Sequence, residues 1–527
     1  MVAVIAVALV HLVLAWMGRS PGLGWGEDDS QYYNLARDLS HFSYRERWDI
    51  ASPFHARYPP IFPLLLAVVG VPARWNLDAM FLFVALCSAA SLIVFFDAAR
   101  RKVGVQVAFL TTVVLAVNPM ALQDAGFLMS EATFKLFLMS GLWGLAREEE
   151  GDRFAAIAGA GMIASAMTRS AGIVFLGGLF LYWLLSRRLR WASWLAAASL
   201  LTVGVWSVWS LTAPDPQNHR LYTADITQFE PGAAQRDKLL RVPLSMVRRI
   251  PERLNRLSTV LIPTVLAFRT VAGTVADNVA WLVVLAVTGI AGLVQLARRW
   301  TGAVVVYACY LLLVVTWIWA VGRFITPVSP ILILAMLTGT AWLAHRFAPR
   351  WRAAALVAMT ALLLLGPIPD SMRAVAERRT CDRANPASSE SCFPKSSRVF
   401  LDIAAWVRDS TPTDAIVMTN KDAAFFTHSG RRVVNQLRAL EEDSATIIPF
   451  LRSRGVTHAV VGPVGVRLRA HSQLLARACR DLILVKKFPQ ASAVLRVRKV
   501  DEPSDGGASC RALAPWMSLK PRVRRQQ

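Results

Sequence analysis

Three neighbouring acidic residues are the side chains of this sequence best suited to chemistry. Glu27, Asp28 and Asp29 follow the first apolar segment directly, and the pattern after them is that of an amphipathic helix. Asp28 precedes Tyr32 by four residues, so both side chains lie near one helical face. A carboxylate at a membrane boundary needs water, a cation or a substrate, and it can take a proton from an acceptor group. The structural alternative is an N-cap, in which Asp28 or Asp29 accepts hydrogen bonds from the first backbone N–H groups of the helix.

Further polar side chains lie at the ends of later apolar segments. Asp124 and Glu131 are followed by Lys135, one helical turn after Glu131. The structural alternative is an i,i+4 ion pair between Glu131 and Lys135 that hides both charges. Arg169 and Arg323 begin or end other apolar segments. Each arginine either snorkels to the membrane interface or binds an anion such as a phosphate with two parallel hydrogen bonds.

The composition excludes an ordinary soluble protein. The chain has 527 residues, of which 55% are hydrophobic, and a formal net charge of +23. Its basic residues form short clusters between apolar segments, which is typical of membrane topology and contact with anionic lipids. We find no nucleic-acid-binding motif, no internal repeat, no Gly-rich phosphate loop and no soluble nucleotide-sugar site, so nucleic acid is not an expected partner.

The apolar segments predict about eleven transmembrane helices, each close to the ~20 residues that cross a bilayer. They cover residues 2–18, 77–97, 105–118, 128–146, 154–168, 171–186, 191–212, 277–297, 302–320, 325–345 and 351–367. Four basic clusters fall on one side if the first segment runs outwards: 100–102, 187–190, 298–299 and 345–352. This topology places residues 19–76, 119–127, 213–276 and everything after about 370 outside. Within the outer regions, 61–71 and parts of 213–276 are predicted to lie at the interface.

The last third of the chain has a different pattern of apolar and polar residues. Helical periodicity at 400–407 and 444–452 alternates with strand patterns at 415–418, 456–461 and 493–497. Alternating strands and helices predict a small α/β domain. The predicted organisation is therefore a transmembrane catalytic domain over 1–369, an extracytoplasmic α/β domain over 370–515, and a basic, disordered tail over 516–527.

The six cysteines divide into two groups. Cys87 and Cys309 lie within apolar segments and are predicted to be small core residues. The other four lie in the polar part, and an even number there suits an oxidising compartment. Four cysteines allow three pairings, and sequence neighbours favour two disulfides, Cys381–Cys392 and Cys479–Cys510.

In their order and sidedness, these features resemble the GT-C superfamily of glycosyltransferases, in the group that contains protein O-mannosyltransferases and lipid A aminoarabinose transferases. The likeness covers most of the chain. The matching motifs are Asp28-Asp29-x-x-Tyr32, Tyr58-Pro59-Pro60, Asn118-Pro119 followed by Met129-Ser130-Glu131, Thr168-Arg169, and Arg323-Phe324 before Pro327. The segment from Trp406 to Pro412, continuing to Ser429-Gly430-Arg431, also resembles the outer domain of bacterial members.

The resemblance implies an inverting transfer of a hexosyl or pentosyl group from a polyprenyl-phosphate sugar. It places the catalytic base at Asp28, with Asp29 as the competitor because Tyr33 gives it the same spacing. Glu131 matches the second acidic position, and Asp124 is the alternative. Some members use a divalent metal ion, which carboxylates at Asp28 and Glu131 would permit.

The donor phosphate is expected at Arg169 or Arg323, with Arg57 and Tyr58 as further candidates. Aminoarabinose relatives often carry Lys before the Pro-Pro pair, where this chain has Tyr58 preceded by Arg57. The acceptor is extracytoplasmic and can be a glycan, a lipid or a protein. The expected location is the cell inner (plasma) membrane, with membrane lipids as partners.

Two other classes of function compete with the enzyme. The first is a polytopic transporter or flippase of lipid-linked or envelope intermediates. Transporters usually place ionisable groups near mid-membrane and often show paired halves. In this sequence the charges cluster at one face and no second half is visible. The second competitor is an envelope scaffold whose outer domain binds a partner.

Overall fold

The computed structural model describes residues 1–24, 28–213, 247, 250–254, 279–316, 324–385, 389–435, 446–464, 468–499 and 501–517. The chain divides into two compact units. The first, which we call the helical unit, comprises Met1–Arg19 and His55–Thr380. The second, the α/β unit, comprises Ser20–Phe54 and Cys381–Gln527. Most of the first predicted outer loop therefore packs within the same unit as the C-terminal sheet. The assignment of a transmembrane and an extracytoplasmic domain stays a prediction.

The elements follow in chain order. They are α1 (Val2–Met17), α2 (Asp28–Leu39), α3 (Ile61–Gly70), α4 (Leu77–Val103), α5 (Val105–Ala116), α6 (Pro119–Gly126), α7 (Glu131–Ala146), α8 (Asp152–Thr168), α9 (Gly172–Leu185), α10 (Leu189–Ser199), α11 (Val205–Thr212), α12 (Val279–Arg299), α13 (Thr301–Thr316), α14 (Ser329–Phe347), α15 (Arg352–Leu365), α16 (Pro367–Ala384), α17 (Lys395–Ser410), β1 (Val417–Thr419), α18 (Asp422–Ser429), β2 (Val433–Asn435), α19 (Ile447–Ser453), β3 (His458–Val461), α20 (Leu468–Arg477), β4 (Leu482–Phe488), β5 (Ser492–Val497) and α21 (Ala508–Met517).

Helices occupy each of the predicted apolar segments, but the count of about eleven crossings is not confirmed. Among the described residues, four helical stretches are long and apolar enough to cross a membrane: Leu77–Val103, Leu189–Thr212, Thr326–Phe347 and Pro349–Ala384. The pair α5 and α6, bent by 60°, can provide a fifth. Several other apolar helices, including α1, α9 and α13, have only 10–17 residues, which is short of the ~20 that a straight crossing needs. The predicted outer region 213–276 lies almost entirely outside the described residues.

Glycines bring together the two helices that carry the polar residues of the helical unit. A Cβ atom at Gly144 on α7 would lie 2.5 Å from the backbone nitrogen of Ala158 on α8. A Cβ atom at Gly161 on α8 would lie 2.5 Å from the nitrogen of Gly141 on α7. Small residues at such positions let helix backbones approach closely in an apolar environment. The glycines therefore fix the separation between the start of α7 and the end of α8.

The α/β unit is built on a five-stranded sheet with the order β2-β1-β3-β5-β4. Strands β2, β1 and β3 are parallel, and β5 pairs antiparallel with both β3 and β4. The predicted strands lie at β1, β3 and β5, whereas β2 and β4 were not predicted. The N-terminal part of this unit reaches the sheet at β2, where Val433 N donates to Trp48 O over 2.7 Å.

Disulfides close two segments of the α/β unit. Cys381 bonds to Cys392 with a Cα–Cα distance of 5.7 Å, and Cys479 bonds to Cys510 with 5.0 Å. These are the pairings that sequence neighbours favoured. The second disulfide ties the start of α21 to the turn before β4. Helix α21 runs to Met517, past the predicted start of the disordered tail at residue 516, and residues 518–527 lie outside the described ones.

Candidate functional site

The acidic motif belongs to the α/β unit, where Asp28 and Asp29 form the first turn of α2. Residues 25–27, including Glu27, lie outside the described residues. Asp29 is buried, with 1% exposure. Its carboxylate accepts from Gly24 N at 3.0 Å, Ser30 N at 2.6 Å and Ser30 Oγ at 3.1 Å. Asp29 therefore fixes the chain where it enters the helix, a role close to the predicted capping alternative.

Burial sets the protonation of Asp29 apart from that of an ordinary aspartate. Burial raises the pKa of the Asp29 carboxyl to about 6, against the lowering effect of hydrogen bonds from Ser30 and Gly24 and of the Lys421 ammonium. Asp28 is only partly buried. A base must reach the proton that it removes. The partly exposed Asp28 meets that condition better than Asp29, which is enclosed and already accepts three hydrogen bonds.

Buried residues of α2 explain the rest of this motif. Tyr32 and Ala36 are buried, with 2% and 0% exposure. Asn34 Nδ2 donates to Ser30 O at 2.8 Å and to Thr427 Oγ1, on α18, at 2.7 Å. The spacing Asp28-x-x-x-Tyr32-x-x-x-Ala36 predicted from the sequence thus includes two positions that anchor the helix. Tyr32 is a packing residue here, with no described role in chemistry.

Glu131 and Arg169 form a buried ion pair in the helical unit. The Glu131 side chain is 3% exposed and the Arg169 side chain 14%, and Arg169 Nη1 lies 2.6 Å from Glu131 Oε1. The same Nη1 donates to Ser130 Oγ at 3.0 Å. Arg169 has an extended backbone directly after α8, which carries its side chain to the start of α7. The guanidinium has five N–H donors in a fixed fork, and Glu131 and Ser130 orient it.

Asp124 and Lys135 form a second buried pair. Lys135 Nζ lies 3.0 Å from Asp124 Oδ2, and both side chains are 9% exposed. The predicted ion pair between Glu131 and Lys135 is therefore wrong, because each residue has another partner. Asp124 also interacts electrostatically with Glu131 and Arg169. Each carboxylate has its own cation, as burial in a low-dielectric environment requires.

Aromatic rings border this charged cluster. Phe175 stacks on Tyr310 with ring centroids 4.1 Å apart, and Phe134 lies 6.0 Å from Phe175. Tyr310 is buried and interacts electrostatically with Arg169 and Glu131. The sequence analysis did not select Tyr310. Its signal was a polar hydroxyl inside the apolar segment 302–320.

Arg57 and Tyr58 lie in the same unit, on the chain that leads into α3. Tyr58 is 7% exposed, and its backbone N donates to His55 Nε2 at 2.8 Å. The Arg57 guanidinium lies 5.2 Å from the centroid of the Tyr58 ring, within the range of a cation–π interaction. Ser210 Oγ, on α11, donates to Ala56 O at 2.7 Å. Tyr58 thus serves as a platform that orients Arg57.

The remaining predicted residues have two outcomes. Arg323 lies outside the described residues. Arg431, in the motif that resembles an outer domain, is 6% exposed, and its Nη2 donates to Arg408 O at 2.7 Å and Thr411 O at 2.8 Å. The likeness at this motif therefore reflects closure of the C-terminal end of α17.

A divalent metal ion does not fit the carboxylates proposed for it. The Glu131 carboxylate forms an ion pair with the Arg169 guanidinium, so its charge is already compensated. Across the part of the chain that the structure describes, no group of three or more His, Cys, Asp or Glu side chains is arranged to hold a metal ion. We therefore derive no step through a metal.

Comparisons with protein-family models and with curated protein sequences found no match. Solved structures do match. The archaeal oligosaccharyltransferase AglB from Archaeoglobus fulgidus, in complex with an inhibitory peptide and a dolichol-phosphate, aligns over 95% of this chain and 75% of its own, with a TM-score of 0.54 and 13% identity. Its apo form aligns with a TM-score of 0.54 over the same shares.

ArnT from Cupriavidus metallidurans also aligns, over 94% of this chain and 97% of its own. The apo state gives a TM-score of 0.53 at 16% identity, and the form bound to undecaprenyl phosphate gives 0.51 at 17%. This chain has the GT-C fold. The predicted resemblance is confirmed at the level of the fold. The described candidate residues of this chain fall into two sets, one in each unit.

Proposed function

We propose that this chain is an integral-membrane inverting glycosyltransferase. It moves a sugar from a polyprenyl-phosphate donor to an extracytoplasmic acceptor. The observation that carries this proposal is a fold shared over 94% of the chain with an ArnT structure bound to undecaprenyl phosphate. AglB, whose structure holds a dolichol-phosphate, shares the fold over 95% of the chain. The partly exposed Asp28 and the partly buried Arg169 supply the two kinds of group that such a transfer needs.

Asp28 is the proposed general base. It takes the proton of the acceptor hydroxyl or amine as that group attacks the anomeric carbon of the sugar. The bond from the sugar to the lipid phosphate breaks on the opposite face, so the anomeric configuration inverts. Asp28 suits this role because its carboxylate is partly exposed, whereas that of Asp29 is enclosed by Gly24 and Ser30.

Arg169 is the proposed partner of the donor phosphate. A phosphate leaving group needs charge stabilisation more than it needs a proton, and a guanidinium supplies charge with directional donors. Glu131 holds one edge of Arg169 in place, so we assign Glu131 to positioning this guanidinium rather than to acid–base chemistry. Arg57 on its Tyr58 platform is a second candidate for the phosphate, and Arg323 is a third.

The proposed location is the inner (plasma) membrane, with the α/β unit outside the cytoplasm. Two features support this orientation. The basic clusters fall on one side of the predicted topology. The α/β unit also carries two disulfides, and disulfides persist in oxidising compartments.

The test uses the full-length chain in lipid nanodiscs. Undecaprenyl phosphate without a sugar is the first probe, and its binding is measured by thermal shift. Undecaprenyl phosphates carrying radiolabelled hexoses or pentoses are then supplied with envelope extract from a strain lacking the protein. We expect a labelled product whose sugar has the inverted anomeric configuration. Movement of the labelled lipid across liposome bilayers without a new glycosidic bond would overturn the proposal in favour of a transporter.

A further inference from the structure

The α/β unit holds the chain before Asp28 from a direction that the sequence analysis did not consider. Lys421, immediately before α18, points its ammonium at the turn that enters α2, where Lys421 Nζ donates to Gly24 O at 3.2 Å. In the last turn of α18, His428 Nε2 lies 3.2 Å from Leu23 O. Because a carbonyl oxygen only accepts hydrogen bonds, Nε2 is the donor. Lys421 and His428 therefore donate hydrogen bonds to the consecutive carbonyls of Gly24 and Leu23.

Gly24 connects the Lys421 contact to the carboxylate of Asp29, the neighbour of the proposed base Asp28. Gly24 has a φ of +99°, a conformation that favours glycine. It accepts from Lys421 through its oxygen and donates to Asp29 through its nitrogen at 3.0 Å. Asp29 then accepts from Ser30 N. The chain of contacts runs from Lys421 through Gly24 and Asp29 to the first turn of α2, which is the turn that contains Asp28.

Lys421 holds this position in an unusual backbone conformation. Its φ is +48° and its ψ is +53°, in the left-handed region that residues other than Gly, Asn and Asp seldom adopt. Asparagine would fit this backbone better, yet its side chain could not reach Gly24. A lysine here is understandable if its long cationic side chain has a task that outweighs the local strain.

We propose that Lys421 is a positioning residue for the base at Asp28, acting through the Gly24 carbonyl and the Asp29 carboxylate. This inference rests on the proposed function. Lys421 does not touch the reacting atoms. Its ammonium holds the Gly24 carbonyl and favours the ionised form of Asp29, which is the stronger acceptor for Gly24 and Ser30. Loss of Lys421 would therefore leave the base present but misplaced.

The test compares two variants at position 421 with a control variant at position 486, all in the full-length protein in nanodiscs. Lys421→Asn keeps a residue that tolerates the left-handed backbone and removes the ammonium. Lys421→Arg keeps a cation of similar reach. Lys486→Met removes an exposed lysine on β4 of the same unit and is the matched control. Thermal unfolding and formation of the two disulfides report whether each variant folds.

We expect Lys421→Asn to lower the kcat of transfer by about 10- to 100-fold, as small misplacements of a reacting group do, with the donor KM unchanged. Lys421→Arg should restore most of the rate, and Lys486→Met should equal the wild type. A folded Lys421→Asn variant with normal kcat, while Asp28→Asn is inactive, would overturn this inference alone. Full transfer by Asp28→Asn would instead overturn the assignment of the base on which the inference rests.

The pH profile gives a second readout that a merely structural role would not move. Among the described residues, the elements around Asp29 carry these charged and titratable groups: Asp28, Tyr32, Tyr33, Arg37 and Asp38 on α2, Glu390 before α17, and Lys421, Asp422 and His428 at α18. The Lys421 ammonium lowers the pKa of Asp29, so Lys421→Asn should raise it. The acid limb of the transfer rate should then move to higher pH in Lys421→Asn and stay in place in Lys421→Arg. If the acid limb of the pH–rate profile stays at the same pH in Lys421→Asn, the role given to the Lys421 ammonium is contradicted.

Discussion

The carboxylates of the two units are held in different ways. In the helical unit, Glu131 and Asp124 each contact a cation, at 2.6 Å and 3.0 Å. In the α/β unit, Asp29 is held mainly by neutral donors from Gly24 and Ser30, and its neighbour Asp28 is partly exposed. A carboxylate paired with a buried cation is a poor base, because the cation stabilises its ionised form. A partly exposed carboxylate such as that of Asp28 can still take a proton.

The proposed function assigns different roles to the two units. In that proposal the helical unit supplies a cation for the anionic lipid phosphate. The α/β unit supplies the carboxylate of Asp28, in the first turn of α2. Three predictions, in order of decreasing size, test whether this contrast is real.

The largest effect is expected from breaking the pair of Glu131 and Arg169. Glu131→Ala would leave a buried guanidinium without its partner and should lower the free energy of unfolding by about 3–5 kcal/mol. The double variant Glu131→Leu with Arg169→Met should regain most of that loss, because an apolar replacement of a buried pair is often nearly neutral. Transfer should stay absent in the double variant. The measurement is denaturant unfolding in detergent, together with binding of undecaprenyl phosphate.

The matched control for that experiment is the exposed pair of Arg190 and Asp152, whose side chains are 80% and 64% exposed. Arg190→Gln should leave stability and transfer unchanged, since exposed pairs contribute little. A stable Glu131→Ala variant that still binds undecaprenyl phosphate like the wild type would contradict the positioning role given to Glu131, and normal binding by the double variant would contradict the role given to Arg169.

The next effect concerns the disulfides of the α/β unit. Cys479 and Cys510 are 31 residues apart in sequence. Replacing both by serine removes this cross-link and should lower the unfolding free energy of the α/β unit by about 4 kcal/mol. Replacing Cys381 and Cys392 opens an 11-residue separation and should lower it by about 3 kcal/mol. Thermal unfolding of the two double variants, beside the reduced wild type, measures both. Equal stability of oxidised and reduced wild type would contradict these values.

The smallest effect is a pH dependence that distinguishes two buried groups of the α/β unit. His471 is fully buried, and burial lowers its pKa from 6.5 to about 3. Between about pH 3 and pH 6.5, the His471 side chain is protonated in the unfolded state and neutral in the folded state. The stability that the neutral His471 contributes is therefore lost as pH falls below about 6.5. Asp29 has the opposite sign. Its pKa is raised from 3.8 to about 6, so its contribution falls as pH rises through that window.

Thermal unfolding of wild type and His471→Leu between pH 4 and pH 7 separates the two contributions. We expect the variant to lose less stability than the wild type on acidification. Asp29→Asn serves as the comparison. It should remove the contribution to the free energy of unfolding that falls as pH rises. Identical pH profiles for His471→Leu and wild type would show that His471 is not held neutral in the folded state.

Local pattern was sufficient for much of this fold. Apolar runs predicted the helices, and alternation with a β-branched character predicted β1, β3 and β5. Strand β2 has only three residues, too few to show a period. Strand β4 carries exposed Lys486 and Lys487 on adjacent positions, which interrupts the alternation. These two strands depend on their neighbours in the sheet for their identity.

The sequence predicted which residue types belong to the candidate site, but it did not predict which carboxylate pairs with which cation. Lys135 follows Glu131 at the spacing of a helical ion pair, but tertiary packing gives Lys135 to Asp124 and Glu131 to Arg169. Arg169 is distant in sequence from Glu131 and reaches it through the close contact of α7 and α8. The role of Lys421 was likewise invisible, because its contact at Gly24 joins residues that are far apart in the chain.

The central claim is that this GT-C protein transfers a sugar with Asp28 as its base. The most direct test is the transfer rate of Asp28→Asn beside that of Asp29→Asn, with donor affinity measured for both. Asp28→Asn preserves the shape of the side chain and should lower the rate by about 10²–10⁴-fold with donor affinity nearly intact. Asp29→Asn should lower it less, through loosening of the turn at Gly24. Near-normal transfer by Asp28→Asn with loss in Asp29→Asn would move the base to Asp29, and near-normal transfer by both would contradict the mechanism.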